Sequence, residues 1–78
     1  MITLDVLNEV FRQVFGDKSL VITRNTTAND VEDWDSLTHT NLVMVLEGQF
    51  KIKFALGELR SLRNVGDMLD LINAKVAK

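Results

Sequence analysis

Seventy-eight residues make one small domain, and a chain this short buries only about 60% of the surface its unfolded form exposes. A 46% apolar, 26% charged composition is that of a folded chain, and zero cysteines exclude disulfide staples and thiolate metal sites. The net charge of −2 hides a split: −5 over residues 1–50 and +3 over residues 51–78.

That split argues against nucleic acid as partner, since phosphate backbones bind basic faces. Asp30, Glu32, Asp33 and Asp35 crowd into one stretch, which is either a solvated loop or a surface for a basic partner. The thin core leaves little room for a deep enzyme cleft. No apolar run is long enough to span a membrane, and the first residues lack a signal-peptide layout. The expectation is a cytoplasmic protein that binds neither nucleic acid nor membrane.

Taken in order, Leu4, Leu7, Val10, Phe11, Val14 and Phe15 recur at helical spacing, so the first helix is predicted from about Thr3 to Phe15. Thr3 suits the N-cap, and Gly16 suits a left-handed stop. Residues 17–35 show no sustained period. Val21-Ile22 and Val31 read as apolar anchors in a long connection, and connections of this length are usually functional or disordered. A second helix is predicted over Ser36–Phe50, with His39, Leu42, Val43, Leu46 and Phe50 on the core stripe. Leu37 and Met44 fall near the opposite side, with Thr40 and Asn41 beside them. Phe50, Ile52 and Phe54 alternate with lysines and read as an extended connector that plugs the core. A helical turn is predicted near 56–61. A last helix, 64–76, carries Val65, Met68, Leu69, Ile72 and Val76, with an Asn64…Asp67 capping pattern at its start and Lys75 and Lys78 at its end. The fold class is all-α: a small bundle of three main helices plus one short helical turn, with a long first loop.

The residues that could carry chemistry sit at Asp35-Ser36-Leu37, where the acidic loop meets the second helix. Ser36 is most economically an N-cap. Its position also offers a phosphate the positive end of a helix dipole and unpaired backbone N–H groups. A serine hydrolase built on Ser36 and His39 lacks an orienting acid, an oxyanion hole and a glycine-flanked elbow. One histidine and no cysteine leave no credible metal site. A non-modified helical adaptor, with Ser36 only a cap and a Leu37/Met44 patch binding a partner helix, is the alternative from another class.

The run Asp35-Ser36-Leu37, then Leu42-Val43-Met44-Val45-Leu46-Glu47, Phe50, Ile52 and the closing Val65-Gly66-Asp67-Met68-Leu69-Asp70-Leu71-Ile72 resembles the acyl and peptidyl carrier protein family over nearly the whole chain. The resemblance implies that residues 1–78 form a single carrier domain, expected to be monomeric and not an enzyme. It implies a 4′-phosphopantetheine arm, transferred from coenzyme A to the Ser36 hydroxyl by a phosphopantetheinyl transferase. The arm's thiol would hold cargo as a thioester and present it to acyl- or aminoacyl-loading and processing enzymes. Asp35, Leu37, Thr40 and Met44 would contact the transferase or partners. His39, Leu42, Val43 and Leu46 would contact the arm or cargo, although a lone histidine is more often a core-edge residue. Trp34 reads as a packing plug for the loop. The second helix departs from the fatty-acid branch: it carries Thr38, His39, Thr40 and Asn41, with Glu47 its only acid. A specialised pathway is therefore expected over housekeeping fatty-acid synthesis.

Overall fold

Four helices follow one another in the computed structural model, which describes residues 1–31 and 34–76: α1 (Leu4–Phe15), α2 (Ser36–Phe50), α3 (Leu56–Arg60) and α4 (Val65–Val76). The all-helical expectation holds. α1 starts at Thr3, whose hydroxyl accepts from the Val6 N–H, and stops at Gly16, which adopts φ 64° and returns its N–H to the Arg12 carbonyl. α1 and α2 pack against each other. Leu7, Val10 and Phe11 from α1, Leu42 and Leu46 from α2, and Val65, Met68, Leu69 and Ile72 from α4 form one buried cluster. Ile22 and Ile52 enter the same cluster from the two connecting segments, which ties both to the core.

Two polar devices hold the long first connection. Asn8 is a buried polar residue on α1. Its amide donates to the Leu20 carbonyl at 2.9 Å and accepts from the Ile22 N–H at 2.8 Å, so the loop is latched like a short strand. The Arg12 guanidinium adds a second bond to the Leu20 carbonyl. This pattern decides which apolar side chain of the loop points inward. Ile22 is buried while Val21, its neighbour, is 69% exposed. The expectation that both anchor the loop is corrected: adjacent residues in extended backbone face opposite ways. Val31 is buried as expected. In the middle of the same loop, the Arg24 and Thr26 carbonyls accept from the Gly66 and Val65 N–H groups, at 2.8 and 2.9 Å. These bonds satisfy orphan donors at the start of α4.

The same approach explains why residue 66 has no side chain. A Cβ there would lie 2.9 Å from the Arg24 carbonyl oxygen and 3.2 Å from the Arg24 Cβ. Gly66→Ala gains helix propensity of about 1 kcal/mol, but backbone cannot yield as a flexible side chain can. Net destabilisation of about 1–3 kcal/mol is expected in urea unfolding. Gly48 has open space around its Cβ position, so Gly48→Ala should instead stabilise by about 0.5–1 kcal/mol. Equal effects at the two sites would contradict the close approach at Gly66.

α2 ends at Lys51 in the left-handed region, φ 56°, and the chain leaves as an extended connector. Ile52 is buried, and Phe50 and Phe54 pack partly buried against the cluster. The Glu47 carboxylate accepts from the Phe54 N–H at 2.9 Å and fixes the exit direction. Asn64 caps α4 by accepting from the Asp67 N–H, while Asp67 reaches back to the Arg63 N–H rather than to that of Asn64. Lys78 and the acids Glu32 and Asp33 lie outside the described residues. No helix among those described is long and apolar enough to cross a membrane.

Candidate functional site

The N-cap of α2 is Asp35, not Ser36. The Asp35 carboxylate accepts from the Thr38 N–H at 3.0 Å, and the Thr38 hydroxyl accepts from the Asp35 N–H at 2.8 Å, closing a capping box. This corrects the reading of Ser36 as cap, with a clear physical reason. A carboxylate is a stronger acceptor than a hydroxyl, and Asp35-x-x-Thr38 places acceptor and return donor at capping-box spacing. That spacing is a capping signal legible in the sequence itself. The backbone N–H of Thr38 is the largest influence holding the Asp35 carboxyl below its ordinary range; burial opposes it, and the Thr38 hydroxyl and nearby backbone N–H groups add smaller lowering effects.

A carboxyl whose folded value lies below its unfolded one contributes stability above the unfolded value. It loses that contribution as pH falls through the folded value. At neutral pH, Asp35→Ala should therefore melt below wild type. The difference should shrink once the pH drops below about 4, the ordinary aspartate range. Thermal melts of both proteins across that range check it, and a difference that does not change with pH would contradict a charged cap.

With Asp35 as cap, Ser36 occupies the first helical turn, exposed, and its hydroxyl has no hydrogen-bond partner among the described residues. The chain has two other serines. Ser19 donates to the Asp17 carboxylate at 2.6 Å, and Ser61 donates to the Glu58 carbonyl at 2.8 Å. Ser36 alone of the three thus presents an uncommitted hydroxyl. It lines an open depression of about 510 Å³ with Ala28, Trp34, Asp35, His39 and Thr40.

Trp34 closes one side of that depression. It packs edge-on against Phe11, with ring centroids 5.2 Å apart at 83°, and tilts against Phe15 at 6.1 Å. It therefore plugs the loop against α1, and its indole N–H also donates to His39 Nδ1 at 3.0 Å. His39 is half-buried at the edge of the core stripe. Leu42 and Leu46 are wholly buried, and Val43 nearly so. Leu37 and Met44 face outward, 78% and 65% exposed. They border a depression of about 390 Å³ with Thr38, Thr40 and Asn41. Among the described residues no cluster of three or more His, Asp or Glu side chains could hold a metal ion.

No protein-family model matches the chain. It is 37% identical over 65 residues to an acyl carrier protein of Thermosynechococcus vestitus, covering 83% of this chain and 79% of that one. The chain belongs to the acyl carrier protein family. Its structure is also similar to the solution structure of a holo acyl carrier protein from Geobacter metallireducens, with a TM-score of 0.94 and 60% identity. That match covers 99% of this chain and 88% of the other.

Members of the acyl carrier family are carriers, not enzymes, and their prosthetic group is 4′-phosphopantetheine. The start of α2 fits a group joined through a phosphodiester. The serine hydroxyl is exposed and uncommitted, and the positive end of the α2 dipole lies beside it. One sequence expectation changes, however. The Thr38 N–H is already taken by the Asp35 carboxylate, so a phosphate on Ser36 would not have that donor.

The residues that sequence reasoning missed are Asn8, Arg12 and Thr38. Two of these carried a readable signal: Asn8 is an amide on the apolar stripe of an otherwise plain amphipathic helix, and Thr38 stands at capping-box spacing from Asp35.

Proposed function

We propose that this chain carries acyl or aminoacyl intermediates as thioesters on a 4′-phosphopantetheine arm attached to Ser36. The observation that supports it most is the uncommitted, exposed Ser36 hydroxyl, left free because Asp35 caps the helix in its place. The arm supplies a terminal thiol, which a chain without cysteine does not have. What the chain's own residues supply is a rigid platform: Asp35 and Thr38 fix the start of α2, and Trp34 holds the loop beside it.

The partners are a phosphopantetheinyl transferase, which takes the arm from coenzyme A, and the enzymes that load and process the cargo. Asp35, Leu37, Thr40 and Met44 form their contact surface, a reading supported by the exposure of Leu37 and Met44 next to the serine. His39 lies at the mouth of the Ser36 depression and serves the arm. Leu42, Val43 and Leu46 are core residues, so cargo meets them only if α2 and its neighbours move apart. Residues 1–78 act as one monomeric carrier domain in the cytoplasm.

We assign the carrier to a specialised pathway. Docking onto basic enzyme patches requires free acids on α2, and Glu47, the only acid there, is bonded to the Phe54 N–H. The chain should be a poor replacement for a housekeeping carrier in a reconstituted fatty-acid synthase; elongation at the housekeeping rate would overturn that assignment. The attachment itself is tested by intact mass after incubation with coenzyme A, a divalent metal and a broad-specificity transferase.

A further inference from the structure

His39 is held in one tautomer. The Trp34 indole nitrogen can only donate, and its hydrogen bond ends on His39 Nδ1 at 3.0 Å, with the two rings within 20° of parallel. Nδ1 therefore carries a lone pair, and the proton of the neutral ring sits on Nε2. Trp34 is itself fixed by Phe11 and Phe15, so the direction of the imidazole is set by the aromatic packing of α1.

The depression beside Ser36 is lined by Ala28, Trp34, Asp35, His39 and Thr40. Its side-chain donors can be taken one at a time. The Trp34 N–H is committed to His39. The Thr40 hydroxyl is committed to the Ser36 carbonyl at 2.9 Å. The Asp35 carboxylate only accepts, and would repel a phosphate. His39 Nε2–H has no acceptor among the described residues, and His39 lies three positions after Ser36, on the same helix face. A second cavity of about 100 Å³ shares Ala28, Trp34 and His39 with the depression and continues to Leu62, Arg63, Asn64 and Met68, where the Arg63 guanidinium is paired with the Asp67 carboxylate at 3.3 Å.

We propose that His39 is a positioning residue for the arm: its Nε2–H, oriented by Trp34, donates to a phosphodiester oxygen on Ser36 and turns the arm from solvent into this depression. The inference rests on Ser36 being the attachment point. It assigns to His39 and Trp34 together a task that neither loop packing nor helix capping requires.

The test uses the full chain converted to its modified form with coenzyme A and transferase. Long-range proton–nitrogen spectra of wild type should show the Nε2–H tautomer. The phosphorus-31 resonance of the arm should be displaced from its position in the same protein unfolded in urea. His39→Leu should lose at least half of that displacement. His39→Gln, which can both accept from Trp34 and donate to phosphate, should keep most of it. Trp34→Phe keeps a ring against Phe11 while freeing the imidazole to exchange tautomers, and should fall between the two. Melting temperatures identify any variant that has merely unfolded. A displacement unchanged in folded His39→Leu, or an Nδ1–H tautomer in wild type, overturns the proposal while leaving the carrier reading intact. Absence of any modification at Ser36 overturns both.

Discussion

Ser36→Ala should gain no mass from coenzyme A and a phosphopantetheinyl transferase, where wild type gains a single phosphopantetheinyl group. The expected effect is all-or-none, because the other two serine hydroxyls are bonded to Asp17 and to the Glu58 carbonyl. The variant should keep its stability to within about 0.5 kcal/mol, as exposed positions without partners generally do. Asp35→Ala should show the reverse pattern. It loses the acceptor of the Thr38 N–H and melts lower, yet it keeps the hydroxyl and still takes up the group, more slowly if Asp35 also meets the transferase. This crossed pair separates chemistry from capping. Had Ser36 been the cap, its removal would have cost stability as well, about 1 kcal/mol. Mass gain persisting in Ser36→Ala, or absent from wild type with several transferases, would sink the attachment assignment.

Phe11→Ala should be the most destabilising single truncation near the site, at about 3–5 kcal/mol. A chain of this length has about 4–12 kcal/mol in total, at 0.05–0.15 kcal/mol per residue. Phe11 is fully buried, and it touches both Phe15 and Trp34. Its loss removes apolar burial from the core and also the edge contact that seats Trp34 beside the serine. Trp34 is the sole tryptophan, so one measurement reads both effects. The urea midpoint should fall steeply, and the fluorescence of the folded state should shift to the red as the indole gains water. A loss below about 1 kcal/mol would contradict the burial of Phe11, since truncations that small are typical of surfaces. A large loss without any spectral shift would mean that Trp34 is seated by other contacts.

The two variants bear on different links between sequence and function. The helices were legible because their apolar residues recur at the period of the helix, and period is a local property. Leu4 to Phe15, Ser36 to Phe50 and Val65 to Val76 could be placed from spacing and caps, and so could the outward stance of Leu37 and Met44 against Leu42 and Leu46. Asp35-Ser36-Leu37, with the apolar run behind it, also carried the family resemblance that the comparison at 37% identity later established. Local pattern failed where two acceptors competed for one backbone donor. Asp35 and Ser36 are both good caps by type, and the choice depended on backbone geometry and on Thr38 closing the box from the other side.

What the sequence by itself determined is the set of helices, their apolar faces and the junction at Ser36, because periodicity and capping chemistry act within a few residues. What only the tertiary structure decided are the contacts made across long separations. Asn8 latching Leu20 and Ile22, the Arg24 carbonyl pressing on Gly66, and Phe11 seating Trp34 against His39 each join segments that no local rule pairs. The Ser36 hydroxyl is marked by sequence, but its surroundings are set by packing, since one buried ring on α1 fixes an indole, and the indole fixes the proton on His39.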